Sequence, residues 1–263
     1  MFRHDFDFHS HTYLCGHAGG IPTDYIKEAI KHNFTVLGIS EHAPMPMLPN
    51  NNSRLKAEDY PKYLKLMHEG DLFAKQHQIK LYKGLEIEYV GTSDVYSTYL
   101  NDLDYLILGQ HYIYLEGQLK STFGLSTLED IIIYKDTLIE AMKTGYFNLV
   151  AHPDLCFFNI ENPTNQMYEV LRPVIKLAKQ LDIPLELNAN GFRRQFYENT
   201  SYIKYPRTQF FQMVAEENAK VIISSDAHSP ELLNDRFIKV AYEFANNLKL
   251  NLISTLDMSY YHK

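Results

Sequence analysis

Cysteine is scarce: Cys15 and Cys156 are the only two in 263 residues. That is too few for a disulfide framework in a chain of this size, and it points to a reducing compartment. Long apolar runs are also missing. The longest, such as 105–108 and 131–134, reach four residues, against the roughly 20 needed to span a bilayer. The opening Met1-Phe2-Arg3-His4-Asp5 has no signal-peptide apolar block, so a cytoplasmic location and no membrane partner are expected. Positive charge is in short supply: 25 Lys and Arg stand against 32 Asp and Glu, for a net charge of -7. Broad nucleic-acid binding neutralises many phosphates with cations, so nucleic acid is excluded as the expected partner. Gly/Ser linkers, charge blocks and short repeats are absent, so residues 1–263 are read as a single domain.

What is present is ordinary globular composition, 45% hydrophobic and 22% charged, in a length that suits one α/β barrel. Strand-like apolar runs occur at 5–9, 35–40, 80–86, 104–110, 147–151, 184–188 and 220–225, with helical periods between them. This alternation is the pattern of parallel α/β folds. Ser126 and Glu129 form a capping-box spacing ahead of Ile131, Tyr134, Leu138 and Ala141. Ser229 followed by Pro230 predicts another helix start. Pro173 falls inside a helical run from Met167 to Leu181, where it must kink the helix or mark its start. Residues 43–56, rich in Pro and Asn, read as a surface loop, either a lid or a connection.

The chemistry-bearing residues fall where strands end. His9, His11 and His17 follow the first strand, Glu41 and His42 the second, and Glu86 ends the third. His111 follows the fourth, His152 the fifth, and Asp226 with His228 the seventh. In a barrel of parallel strands these ends converge on one face, where active sites assemble. Imidazole and carboxylate without thiolate suit a multi-metal centre of Zn, Mn or Fe. Each piece alone has a plainer reading: His9-Ser10-His11 as a surface pair, His152 as a core histidine before a turn, Asp226 as a helix cap. Their joint placement at six strand ends favours the metal reading. His4, His32, His68, His77 and His262 lack that placement and read as surface or packing residues. Cys15, between His11 and His17, reads as a small buried residue rather than a soft ligand.

The segments His9-Ser10-His11-Thr12, Cys15-Gly16-His17-Ala18, Ser40-Glu41-His42-Ala43, Gly84-Leu85-Glu86, His111, Ala151-His152-Pro153 and Ser225-Asp226-Ala227-His228 together resemble the polymerase-and-histidinol-phosphatase (PHP) superfamily. Within it the chain is similar to the histidinol-phosphate phosphatases. The resemblance implies a distorted, TIM-barrel-like (β/α)7 barrel, the PHP fold, carrying three divalent metal ions. It implies that His9, His11, Glu86 and Asp226 hold the first ion, that Glu86 bridges to a second held by His111 and His152, and that His17, His42 and His228 hold the third. Such a centre offsets the acidic total locally, and a hydroxide bridging paired ions, not a side chain, would attack phosphorus. The implied partner is a small phosphate ester, L-histidinol phosphate, cleaved to L-histidinol and phosphate in histidine biosynthesis.

Around the ligands, Asn188-Ala189-Asn190-Gly191-Phe192-Arg193 resembles a family segment in which Arg193 would grip phosphate. Arg207 is a second candidate, and Gln110, before His111, is expected to shape the pocket. Asp226 and His228 are candidate proton donors to the leaving oxygen. Glu41 is expected to orient a histidine, and Asp154 to cap a helix. The competing readings are a PHP-type nuclease or nucleotide phosphatase, against which the missing basic stripe counts, and a metal-binding regulatory protein without turnover.

Overall fold

The computed structural model describes residues 4–49, 52–91 and 93–258; Asn50, Asn51 and His262 lie outside them. All seven expected strands form, as β1 (Phe6–Asp7), β2 (Val36–His42), β3 (Lys80–Ile87), β4 (Tyr105–Leu108), β7 (Leu149–Val150), β8 (Leu185–Asn188) and β9 (Lys220–Ser224). Between β4 and β7 lies an antiparallel hairpin of β5 (Tyr112–Leu115) and β6 (Gln118–Ser121). A last strand, β10 (Asn251–Ile253), pairs in parallel with β9. Among the described residues the parallel sheet therefore has eight strands, in the order β1-β2-β3-β4-β7-β8-β9-β10, where the sequence pattern shows seven. Three residues are too short a run to display a period, which is why β10 escapes a pattern reading.

The sheet curls back on itself. Ser10 bridges Ala227 in parallel beyond the ends of β1 and β9. His11 N donates to Ala227 O at 2.9 Å and Ala227 N to His9 O at 3.3 Å. Asp7 clamps the same seam: its two carboxylate oxygens accept from the backbone N–H of His9 and of Ser225, each at 2.7 Å.

Curling divides the apolar residues between an inner and an outer core. Along β4, Tyr105 and Ile107 join Phe6, Phe8, Leu149, Ala151 and Ile222 in the inner cluster. Leu106 and Leu108 point the other way into the larger cluster shared with the helices. This two-sided burial explains why the strands read as nearly continuous apolar runs. Tyr105 reaches across the inner core, its hydroxyl donating to Phe8 O at 2.7 Å. A Cβ at Gly38 or Gly84 would lie 2.3 or 2.4 Å from Tyr105, so those glycines make its room. His4 closes the far end, ringed by Phe6, Phe34 and Tyr242.

Among the described residues eight helices surround the sheet: α1 (Pro22–Lys31), α2 (Tyr60–Gln76), α3 (Val95–Leu100), α4 (Leu128–Lys143), α5 (Asn165–Gln180), α6 (Ala189–Glu198), α7 (Thr208–Glu217) and α8 (Arg236–Leu248). Their starts differ in detail from the sequence reading. The capping box of α4 is Thr127 with Asp130, one residue beyond Ser126 and Glu129. Both pairs have the required spacing, and Asp130 gains Lys120, 2.7 Å away, as an added partner. Ser229-Pro230 opens only a short 3-10 turn; α8 begins later, capped by Asp235, which accepts from Phe237 N at 2.9 Å. The helix over Met167 starts at Asn165 behind Thr164 and carries Pro173 in its interior. Asp154 caps nothing through its side chain and instead accepts from Arg207 N at 2.5 Å.

The 43–56 segment is not a free surface loop. Among its described residues Met45, Leu48 and Leu55 are buried, Leu55 N donates to His42 O at 3.0 Å and Tyr99 donates to Pro44 O at 2.8 Å. No helix among the described residues is long and apolar enough to cross a membrane.

Candidate metal centre

The C-terminal strand ends open into a cavity of about 540 Å³, lined by His17, His42, Glu86, His111, His152, Asp226 and His228. His9 and His11 lie beneath it, fully buried. The structure thus gathers all nine candidate ligand residues at one mouth of the sheet. Glu86 is at their centre. Its Oε2 lies 2.9 Å from His42 Nδ1, 3.4 Å from His9 Nε2 and 3.6 Å from His11 Nε2. Its Oε1 lies 2.9 Å from His152 Nε2 and 3.5 Å from His111 Nε2. A Cβ on Gly109 would come within 2.1 Å of that Oε1, so the glycine on the neighbouring strand end gives the carboxylate its place.

Asp226 is the second acidic focus. Its Oδ1 stands 3.3 Å from His11 Nε2 and 3.7 Å from His9 Nε2, while Oδ2 accepts from Asn188 and Asn190. Asp226 and His152 both take left-handed backbone, with φ of 46° and 29°. Neither is glycine, so each holds strain of the kind that clusters at functional sites. On the cavity's open side His17 Nε2 and His228 Nε2 face each other at 2.9 Å.

Three groupings place one donor atom per residue within 4.8 Å of the others: His9, His11 and Asp226; His11, His42 and His228; His42, Glu86 and His111. The first falls inside the set expected for one ion. The other two divide the residues differently from the expected sets, because His42 leans on Glu86 and stacks on His11 with ring centroids 4.2 Å apart. Cys15 belongs to none of them; its buried thiol lies 3.3 Å from Thr12 O.

The donors fit divalent cations. His9 Nε2 and His11 Nε2, which face Glu86 and Asp226, are buried without a hydrogen-bond partner. An unpartnered buried polar atom costs about 1–3 kcal/mol, which a coordinated cation would offset. Electrostatics agrees. Burial alone would raise the pKa of Glu86, but His111, His9, His42 and His152 hold it well below the usual carboxylate range. Asp226 is likewise held down against burial by His9, His11 and His228. Burial opposes charge on His11, yet Asp226 and Glu41 push its pKa up to about 9. His228 goes the other way, to about 4, through burial and its neighbour His11. Two carboxylates held ionised by surrounding imidazoles form the floor of the cavity, and the donors gathered there are nitrogen and oxygen, the kinds that Zn, Mn or Fe accept.

Behind three of the candidate ligands stand carboxylates. Glu41, expected to orient a histidine, has Oε1 3.7 Å from His11 Nδ1, beyond hydrogen-bonding distance, while Oε2 accepts from Thr12 N at 3.0 Å. Glu186, fully buried, lies 2.7 Å from His9 Nδ1 and accepts from His152 N at 2.9 Å. Glu88 lies 3.1 Å from His111 Nδ1. The sequence reading missed the last two. The available signal was a lone Glu in the apolar run Pro184-Leu185-Glu186-Leu187, and the two-residue spacing of Glu88 from Glu86 on the same strand.

The expected substrate contacts need correction. Arg193 is buried inside α6, where it pairs with Asp235 at 2.9 Å and donates to Asn190, Ser225 O and Leu232 O. Arg207 donates to the carbonyls of Lys204, Glu161, Phe157 and Ile160. Neither lines the cavity; both bind loops together. Gln110 also turns away, exchanging bonds with Tyr89 N and O and with Tyr112 O. The arginines that do line the cavity are Arg54 and Arg194, beside Phe123, Leu155 and Tyr205. Asp226 and His228, the candidate proton donors, line it too.

Residues 7–190 match the family model described as the PHP domain. A protein of Deinococcus radiodurans named "Probable histidinol-phosphatase" is 29% identical over 246 residues, covering 90% of this chain and 91% of its own. A "Probable phosphatase" of Acetivibrio thermocellus is 25% identical, covering 84% and 78%. Among solved structures, the histidinol phosphate phosphatase of Lactococcus lactis, complexed with zinc, L-histidinol and phosphate, superposes with a TM-score of 0.68 at 16% identity, covering 96% of this chain and 98% of its own.

Proposed function

The chain belongs to the PHP domain family, and from that premise we propose that it is a metal-dependent phosphatase acting on a small phosphate monoester, L-histidinol phosphate. The carrying observation is the ring of histidines around Glu86 and Asp226 at the base of one cavity. We read the nine side chains as holding three divalent ions, with Glu86 shared because its two oxygens face different histidines. The curled sheet through β9 is read as a distorted seven-stranded barrel, supported by the Ser10–Ala227 seam, with β10 added at the foot of β9.

Bound divalent ions would supply Lewis acidity at the phosphoryl oxygens and an activated water for attack at phosphorus. The chain's own residues position the reaction. Asn188 and Asn190 hold Asp226 Oδ2, leaving Oδ1 toward His9 and His11. Arg194 lines the wall while pairing with Glu198 at 2.8 Å, a cation placed to meet the anionic end of a substrate. Phe123, Leu155 and Tyr205 offer apolar surface for a flat organic group. A volume near 540 Å³ suits a ligand of small-molecule size. The curated relative named for histidinol phosphate covers nine tenths of the chain, which supports that ester over others.

The test is phosphate release by metal-loaded protein from a panel of monoesters containing histidinol phosphate, nucleotides and sugar phosphates. The reading expects histidinol phosphate to lead in kcat/KM by at least tenfold. Slow, indiscriminate turnover of the whole panel would reject the substrate, and no turnover of any would reject the activity.

A further inference from the structure

Each of three candidate ligand histidines has a carboxylate near its Nδ1: Glu186 behind His9, Glu41 behind His11 and Glu88 behind His111. The first two take their remaining hydrogen bonds from neutral groups, the His152 amide and Asn188 for Glu186 and Thr12 for Glu41. Glu88 differs. Arg54 Nη1 lies 3.1 Å from its Oε2 and Nη2 lies 2.9 Å from its Oε1, a two-toothed pair. Arg54 belongs to the 43–56 segment rather than to a strand, and its Nη1 also donates to Ala43 O at 3.3 Å. Both side chains are enclosed, at 9% and 1% exposure.

The geometry runs in series. A planar guanidinium fork fixes the plane of the carboxylate it grips. Glu88 Oε1 is the oxygen shared between Arg54 Nη2 and His111 Nδ1. A carboxylate accepting from Nδ1–H selects the tautomer whose Nε2 lone pair is free. That Nε2 is the atom turned toward Glu86 Oε1, 3.5 Å away.

We propose that Arg54 is a positioning residue of the metal centre: through Glu88 it fixes the ring and tautomer of His111. The inference rests on the metal reading above and goes beyond it by assigning a role to Arg54, a side chain that is not among the candidate ligands.

A double-mutant cycle tests it. Arg54→Met, Glu88→Gln and the double variant are stripped of metal, and zinc affinity is measured by competition with a chromophoric chelator. The melting temperature of each metal-free protein is recorded alongside. Each single variant is expected to bind zinc ten- to a hundredfold more weakly at one site, the size typical of losing a ligand-orienting partner. The double variant should be no weaker than Glu88→Gln alone. Arg54→Lys, which keeps charge but not the fork, should recover part of the loss, and it carries the same cycle should Arg54→Met fail to fold. Wild-type zinc affinity in Arg54→Met or Arg54→Lys with only a lowered melting temperature would overturn the inference, as would an effect that adds in full to Glu88→Gln. A wild-type protein that takes up no metal would overturn both this inference and the metal reading, whereas the first two outcomes overturn this inference alone.

Discussion

Glu186 Oε1 lies 2.7 Å from His9 Nδ1, on the side of the ring away from Glu86 and Asp226. The pairing fixes which nitrogen of His9 is free to coordinate, and the second oxygen of Glu186 supports His152 through its backbone amide. Glu186→Gln keeps the shape but removes the charge and replaces one of the two acceptor oxygens by an N–H donor, facing either His9 Nδ1 or the His152 amide. Metal affinity should fall about ten- to a hundredfold, with activity following and recovering at higher metal concentration. Titrating the apo variant with zinc or manganese while following phosphate release checks this.

Gly109 is where a methyl group should reach the centre without touching a ligand's own chemistry. Its added Cβ would sit 2.1 Å from Glu86 Oε1 and 2.4 Å from Cγ. Gly109→Ala must push that carboxylate aside, and overpacking of this kind typically costs about 1–3 kcal/mol. The expected outcome is at least a tenfold loss of kcat with a native far-ultraviolet circular dichroism spectrum, and metal content below wild type. Full activity would show that the Glu86 position is not critical.

Adjacent arginines should behave oppositely. Arg193 spends its guanidinium on Asp235, Asn190 and two backbone carbonyls. Breaking such a buried pair costs about 3 kcal/mol or more, so Arg193→Met should lower the melting temperature by several degrees. Arg194 lines the cavity with its side chain more than a third exposed. Arg194→Met should leave the melting temperature nearly unchanged and raise KM. Steady-state kinetics and thermal melts on the two variants decide it.

His4 predicts a pH dependence of stability remote from the metal ligands' cavity. Burial, helped by His32, lowers its pKa from 6.5 to about 3. Between those values the unfolded chain binds a proton that the folded one refuses. Stability from this group is therefore complete above pH 6.5 and is lost as pH falls toward 3, at up to about 1.4 kcal/mol per pH unit. His4→Phe removes the group and should flatten the slope of urea-unfolding free energy between pH 6.5 and 4.5. Parallel slopes for variant and wild type would contradict the assignment.

Much of this was legible in the chain because two signals reinforce each other. Strands buried on both faces are written as apolar runs, and a polar ligand ends the run, so Ser40-Glu41-His42 and Ala151-His152 announce both a strand terminus and a candidate site. What the pattern conceals is partnership across the sheet. Nothing beside Arg193 in sequence reveals Asp235, 42 positions on, which claims its guanidinium. Ser126 and Thr127 each have an acid three residues later, so the choice of cap depends on Lys120 from the hairpin. The prolines and asparagines of the 43–56 segment read as a surface loop, yet Met45, Leu48 and Leu55 are buried while Met47 stays exposed, a choice the sequence alone does not mark.

The central claim is that cations held by these histidines and carboxylates are needed for phosphate ester hydrolysis. Its most direct test is phosphate release from L-histidinol phosphate by protein stripped with a chelator, assayed before and after reloading with zinc, manganese or iron, with bound metal quantified in each sample. Activity should vanish on stripping and return in proportion to the metal regained. Undiminished turnover by protein shown to be metal-free would contradict it.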